Sequence, residues 1–555
     1  MSRTQKIIFS LVFVVCLAVQ ILPVVRSGLT YQYGIGFWGP NGHDGIWHLS
    51  LINNLDNPLK ISLPPMAGEN LSNYHPFFDI LISLLVQTTH IPGNLWLFQI
   101  FPVVSTIIFL WLSFQVARKI TGKFSGGIYF MCLNSFANSL GWLITLVRGQ
   151  GLGGESLFWA MQSASNQINP PYLLSIIFIL WLIYLLPPKV SRLSISSAIQ
   201  IFTILSLLPI TKAYAIVPGL LIFGIYSLNA YFKKIYQPAI ILILSFFSLL
   251  LVFQYYNPNS SGLLSLSPFW FTKSLVESVD RLYLPKIANQ LHLLFSFSPT
   301  TFFKLFFAYS LSFLLFIIGN FSFRLIGFYK LDIKKSWTNQ ALLISIVVLI
   351  LIPTLFIQKG TAWNTIQFVY YALFLGNLLL AKQLIALPRL AILVLLINFI
   401  SNYSSFQNSL GNPPPAYIST AETSALNFLQ QLPPGTVLTV PYDKYLKNSF
   451  TSTPIPLYAY ETTSYVSAYS QHPTFVDDYM NLANSGYNYQ DRLRDSLQFF
   501  KQENIFSDRG FLLNNHLEYI YLTGLQKNKL SLNINNLYLT KVYENSESII
   551  YQVQK

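Results

Sequence analysis

The feature that most constrains this chain is a succession of eleven apolar runs within its first 400 residues or so, most of them near the length of a bilayer crossing. A helix needs about 20 apolar residues to span the hydrocarbon core, with about 17 as a working minimum. The runs are Ile7–Val25, Leu97–Ala117, Gly127–Val147, Tyr172–Leu186, Ile195–Ile210, Ala213–Tyr231, Ala239–Tyr255, Phe302–Asn320, Ala341–Phe356, Ile366–Leu380 and Leu384–Ile400. Only 10% of the residues are charged and the mean hydropathy is +0.47. A soluble domain carries nearer a quarter charged residues, so the fold class expected is a polytopic α-helical membrane protein. Phe77–Val86 is too short to cross and reads as a juxtamembrane or re-entrant helix. The N-terminus lacks a small-residue cleavage pattern, so the first run reads as an uncleaved span. Cys16 and Cys132 both lie in apolar runs and define neither a disulfide framework nor a thiolate metal site.

The charges orient these spans. With the N-terminus cytoplasmic, fifteen basic residues crowd short inner loops: Arg3, Lys6, Arg118, Lys119, Lys123, Lys189, Arg192, Lys233, Lys234, Arg324, Lys330, Lys334, Lys335, Lys382 and Arg389. The net charge of +14 therefore describes cytoplasmic loops, not a nucleic-acid partner. Of the eight acidic residues before residue 404, only Asp332 is cytoplasmic under this topology, and none sits mid-span. A carboxylate-driven transporter would bury one near the midplane. The negative charge instead gathers beside the membrane on one face, in outer loops 27–96, 148–171 and 256–301.

Two domains are expected: a transmembrane domain over 1–403 and a soluble extracytoplasmic α/β domain over 404–555, hinged at Pro413–Pro415. The second is polar and mixed-charge. Strands are expected at Thr436–Pro441 and Tyr519–Leu522, a helix over Tyr489–Lys501, and a hairpin from Leu537–Tyr543 and Ile549–Val553.

The densest chemistry is in the first outer loop, where His43, Asp44, Trp47 and His48 cluster. On a helix, Asp44, Trp47 and His48 share one face. Asp44 there has the chemistry of a general base, or of a ligand, with His48, to a divalent cation such as magnesium or manganese. The plain alternative is that Asp44 only caps a helix starting at Gly45. Arg148, Lys212 and Lys359 fall at outer span ends, where they can meet a lipid phosphate or merely snorkel. Glu155 follows two glycines and precedes Gln162, Asn166, Gln167 and Asn169, a set suited to sugar hydroxyls or to a solvated loop. Trp363, Asn364 and Gln367 open a span from outside. The tryptophan is an ordinary belt residue, but amides facing lipid are costly. His472, Asp477 and Asp478 lie among tyrosines that could serve an acceptor glycan or simply pack.

Gly42-His43-Asp44 after the first span, Tyr74-His75-Pro76-Phe77-Phe78 before a short apolar helix, and Ala117-Arg118-Lys119 closing the next span form an ordered series. Ser206-Leu207-Leu208 leads into Thr211-Lys212. This series resembles the polytopic C-type (GT-C) glycosyltransferases, the superfamily of protein O-mannosyltransferases and lipid A aminoarabinose transferases, over roughly residues 1–230. The resemblance implies that Asp44 is the catalytic carboxylate. Where that family often has Asp-Glu, Asp44 is followed by Gly45. Where it often has a Lys-Pro-Pro turn meeting the donor phosphate, this chain has Tyr74-His75-Pro76, with His75 in the lysine's place.

The function expected is thus an integral-membrane glycosyltransferase of the plasma membrane. It would move a sugar from a polyprenyl-phosphate donor to a glycan, lipid or protein hydroxyl on the extracytoplasmic face. Asp44 would be the base, with His43, His48, His75, Arg148, Glu155, Lys212, Lys359, Trp363, Asn364 and Gln367 binding substrate. The competing expectation is a non-catalytic membrane protein or transporter that binds a lipid-linked glycan.

Overall fold

The computed structural model describes residues 1–258, 264–292, 299–334, 336–410, 413–501, 505–530 and 537–554. Lys335, counted above among the inner basic residues, lies outside the described residues. The chain divides into two compact units: Met1–Pro23 with Val103–Leu410, and Val24–Pro102 with Gly411–Lys555. The first outer loop, expected within a membrane domain ending at 403, thus groups with the C-terminal segment. The physical reason is strand pairing and a shared core, described below.

The first unit is helical. Among the described residues eight helices of the chain are long and apolar enough to cross a membrane, or nine if a bent pair counts as one span. Each of the eleven apolar runs falls on helix, but Pro170–Leu185 and Ile195–Thr211 are shorter apolar helices, so the count of eleven crossings is not reproduced. The chain is a multi-pass membrane protein. The bent pair, Phe124–Phe136 and Gly141–Val147, turns by 52°. Its break is held by side chains: Asn398 Oδ1 accepts from the Asn138 amide at 2.8 Å and Ser139 Oγ from the Gly141 amide at 3.0 Å. Only glycine fits at 141, because a Cβ there would lie 1.7 Å from the Gly154 carbonyl oxygen.

The second outer loop is not a surface loop throughout. Its single turn Ser163–Ile168 has buried Ser163, Ser165, Asn166 and Gln167. Gln20 donates to the carbonyls of Ser135 and Ser163, both at 2.7 Å, and Asn166 to that of Asn134 at 3.0 Å. Buried amides are tolerated when their hydrogen bonds are made. Arg324 corrects the inner-loop assignment. It is 1% exposed, inside the helical unit, and donates to Asn377 Oδ1 at 2.7 Å and to Gln162 Oε1 at 3.0 Å. Arginine can be buried this way because its planar fork matches several fixed acceptors at once.

The second unit holds two four-stranded sheets. In one, Gly34–Phe37 pairs antiparallel with Thr30–Tyr31 and Ala416–Ser419, and Ala416–Ser419 runs parallel to Ile455–Pro456. In the other, Leu517–Thr523 lies between Thr436–Thr439, to which it is parallel, and Ser548–Val553, which also pairs antiparallel with Leu539–Glu544. The strands, the helix Gln490–Lys501 and the terminal hairpin expected from the sequence are all present. Trp47, Leu51, Leu63 and Met66 of the loop share a core with Leu438, Phe475, Leu482 and Ile520. That core, with the pairing of Gly34–Phe37 and Ala416–Ser419, makes loop and C-terminal segment one body.

Candidate active site

The site helix is Asp44–Asn53, entered through the single turn Gly39–Gly42 with Pro40 in its first residues. The helix starts at Asp44 itself and its N-cap residue is His43, whose side chain makes no capping bond. Asp44 is therefore not the cap that the plain alternative required. In the first turn it does complement the positive end of the helix dipole.

His43 joins two carboxylates. Its Nδ1 lies 2.9 Å from Asp44 Oδ1 and its Nε2 3.3 Å from Asp478 Oδ1. The two acids differ in setting: the Asp44 side chain is 54% exposed, the Asp478 side chain fully buried. Burial alone would hold the His43 imidazolium down. Asp478 first, then Asp44, outweighs it, and the His43 pKa is pushed up to about 11. At neutral pH both ring nitrogens then carry protons: Nδ1 donates to Asp44, while Nε2 faces Asp478 at ion-pair distance without a hydrogen bond among the described residues. Asp478 is itself held in an unusual conformation, with φ at 49°, and its side chain accepts from the Asn481 amide at 3.3 Å. A non-glycine residue kept in the left-handed region beside a candidate catalytic group fits the tendency of backbone strain to collect at functional sites. Asp478 was named from the sequence only as an acceptor contact. Its partnership with His43 has no sequence signal, since the two are brought together by tertiary packing alone.

His48 faces elsewhere. Its Nδ1 lies 2.7 Å from Asp79 Oδ1, both side chains being buried, and its ring meets Phe78 edge-on. Burial raises the Asp79 pKa, against the opposing pull of His48. Among the described residues no three His, Cys, Asp or Glu side chains gather as a metal site. The donor set anticipated from Asp44 and His48 is thus divided between two separate pairs, and no step below runs through a metal. His75 stacks on Tyr74 with ring centroids 4.6 Å apart.

The other candidates expected from the sequence lie in the helical unit. Arg148 donates to the backbone carbonyls of Arg281 and Leu282. Glu155 accepts from Ser165 Oγ at 2.7 Å and from the Gln162 amide at 2.9 Å, and burial raises its pKa against those two bonds. It orders the second loop. Lys212 is buried, with Nζ 3.4 Å from Asn169 Oδ1. Lys359 and Trp363 are exposed, Asn364 is half-buried, and Gln367 keeps a buried Oε1 with no hydrogen-bond partner among the described residues.

A multi-pass helical unit is joined in one chain to a sheet-bearing unit that carries Asp44. Comparison with solved structures shows the same fold. The chain is similar to arabinofuranosyltransferase AftD from Mycobacteria at a TM-score of 0.52 and 13% identity, over 100% of this chain and 40% of that one. It is also similar to the oligosaccharyltransferase AglB of Archaeoglobus fulgidus in complex with an inhibitory peptide and a dolichol-phosphate, at a TM-score of 0.48 and 11% identity, over 97% of this chain and 71% of that one. A second structure of the Archaeoglobus fulgidus oligosaccharyltransferase, in complex with Zn and sulfate, gives 0.49 and 13%, over 93% and 67%. No family model matches the sequence, and no curated protein matches it.

Proposed function

We propose that this protein is an integral-membrane glycosyltransferase that takes a sugar from a polyprenyl-phosphate carrier and passes it to an acceptor hydroxyl on the extracytoplasmic face, with Asp44 as general base. The observation that carries the reading is the Asp44–His43–Asp478 array: an accessible carboxylate aimed by an imidazolium that a buried carboxylate neutralises. Two carboxyl groups flank one imidazolium in this array, and the more accessible of them, Asp44, is the one an acceptor hydroxyl can reach. The fold shared with AftD supports the same class.

In the proposed step the acceptor O–H gives its proton to Asp44 and its oxygen attacks the anomeric carbon. The bond from that carbon to the carrier phosphate breaks, and the phosphate departs with the electron pair. A phosphate is already a good leaving group, so no strong acid is required. Proton transfer to a positioned base contributes about 10²- to 10⁴-fold. In the helical unit, Arg148 and Lys359 are the exposed members of the basic set, and a cation of that kind suits the charge of a carrier phosphate. The test is incubation of purified protein with a panel of polyprenyl-phosphate sugars and candidate acceptors. Release of free carrier phosphate, coupled one-to-one to glycosylated acceptor, is expected. Carrier binding without release would instead support the non-catalytic alternative.

A further inference from the structure

Glu422 stands in the first turn of the helix Thr420–Gln430 and is 1% exposed. Its Oε1 accepts from the Tyr465 hydroxyl at 2.9 Å and from the Tyr521 hydroxyl at 3.1 Å. The other titratable groups that face it are Tyr417, Tyr458 and Glu547, and no cation is among them. A buried carboxylate is ordinarily paired with a cation, because desolvation otherwise favours the neutral acid. Here burial, helped by Glu547 and opposed by the two phenol bonds, pushes the Glu422 pKa up to about 7. The carboxyl is joined to the site helix by two routes. Tyr465 opens the buried helix Tyr465–Ser470, which is bonded along Asp44–Asn53. There Ser467 Oγ lies 2.8 Å from Ser50 Oγ, and Asn53 donates to the Ala468 carbonyl at 2.8 Å. On the other side Ser419 Oγ accepts from the Glu422 amide at 3.0 Å and donates to Glu547, and Ser419 pairs with Gly34 in the strand that leads to Asp44.

We propose that Glu422 is a positioning residue for Asp44: its uncharged carboxyl holds Tyr465–Ser470 against the site helix, and its ionisation loosens that contact, so that transfer slows as the surrounding medium turns alkaline. An ionised Glu422 gains by meeting water, which reaches it only when the side chains packed over it part. The sign follows from a folded-state value above the ordinary 4.5. The stabilisation is complete below about pH 4.5 and is lost as the pH rises through about 7. Asp477, which burial also pushes up to about 7, acts on Tyr465 as well, so the two acids must be told apart. The role in transfer rests on the transferase reading; the pH-dependent packing does not.

The test is amide hydrogen exchange of the full chain in lipid nanodiscs, with wild type and Glu422→Gln compared at each pH so that the chemical exchange rate cancels. Glutamine keeps an acceptor for both phenols and cannot ionise. Protection of Tyr465–Ser470 and Asp44–Asn53 in the wild type is expected to fall, relative to Glu422→Gln, about tenfold per pH unit between about pH 5 and 7 and to level off above that. Asp477→Asn should still show a fall. A ratio that stays constant with pH overturns the proposal. So does a fall that vanishes in Asp477→Asn, since the response would then belong to that acid, and this second comparison decides the matter even where Glu422→Gln folds poorly. In turnover, kcat of the wild type should drop about tenfold between about pH 6 and 8 while that of Glu422→Gln does not, with the carrier KM unchanged in both. Identical pH profiles of kcat overturn the positioning role. Exchange that responds to pH in a protein with no turnover at all would defeat the transferase reading and uphold the packing device.

Discussion

Replacing Asp478 with asparagine keeps the side chain's size and removes the buried charge that faces His43 Nε2 at 3.3 Å. Against an ordinary value of 6.5, the His43 pKa stands at about 11. At about pH 7 the protonated form is therefore favoured by roughly four pH units, or ~5 kcal/mol at about 1.4 kcal/mol per unit. Both carboxylates share that figure. Asp478 is the larger contributor, so its loss should destabilise the protein by ~3 kcal/mol, the lower end of the 3–5 kcal/mol seen when a buried pair is broken. The sign with pH follows from a raised folded-state pKa. The stabilisation is complete below about pH 6.5 and disappears as the pH rises through about 11. Because Asp44 still holds the variant's His43 roughly two units above its ordinary value, the gap between wild type and Asp478→Asn should keep its full size up to about pH 9 and then shrink by about 1.4 kcal/mol per unit towards about pH 11. Asp478 also caps the helix Tyr479–Asn484, but asparagine caps nearly as well, so that loss is small and independent of pH. The assay is equilibrium unfolding of both proteins in detergent at about pH 7, 8, 9, 10 and 11. A gap that stays constant across that range would refute the ion-pair argument and leave Asp478 as a cap only.

Other perturbations separate the remaining assignments. Gly34→Ala places a Cβ 2.0 Å from the Ile418 carbonyl oxygen at a φ of 121°, so pairing of Gly34–Phe37 with Ala416–Ser419 should fail. A loss of ~3 kcal/mol or more is expected, read as faster proteolysis of the C-terminal segment, because steric exclusion at a required left-handed position is among the severe classes of substitution. Arg324→Lys cannot reproduce a fork that reaches Asn377 and Gln162 together. It should cost ~2–4 kcal/mol in thermal unfolding by leaving buried amides unpaired, whereas at an exposed cytoplasmic position it would be neutral. His43→Asn should lower turnover about 10²-fold by letting Asp44 wander, with carrier binding unchanged.

Much of this architecture was legible in the sequence because hydropathy and alternation are local properties. The apolar runs fall on helices, and Thr436–Thr439, Leu517–Thr523 and the terminal hairpin lie where β-branched and aromatic residues alternate. Crossing counts were less legible, since Pro170–Leu185 and Ile195–Thr211 are apolar yet short. Arg324 was read as an inner-loop cation because it follows the run Phe302–Asn320 in a topology set by the positive-inside rule. Its flanks, Phe323 and Leu325–Ile326, are apolar on both sides and were the available signal. Asp44 and His43 were visible as a cluster. Spacing along a helix put His48 with them, but spacing carries no information on a distant partner, and Asp79 claims His48 as Asp478 claims His43. The amide-rich turn Ser163–Ile168 read as either sugar-binding or solvated for a related reason. Polarity predicts exposure only where the fold offers no carbonyls to satisfy it, and here the carbonyls of Ser135 and Asn134 do so for Gln20 and Asn166.

The most direct measurement is the transfer rate of Asp44→Asn set beside its affinity for the polyprenyl-phosphate sugar. Carrier-phosphate release should fall by about 10²- to 10⁴-fold while carrier binding holds. Release at the wild-type rate would contradict the account.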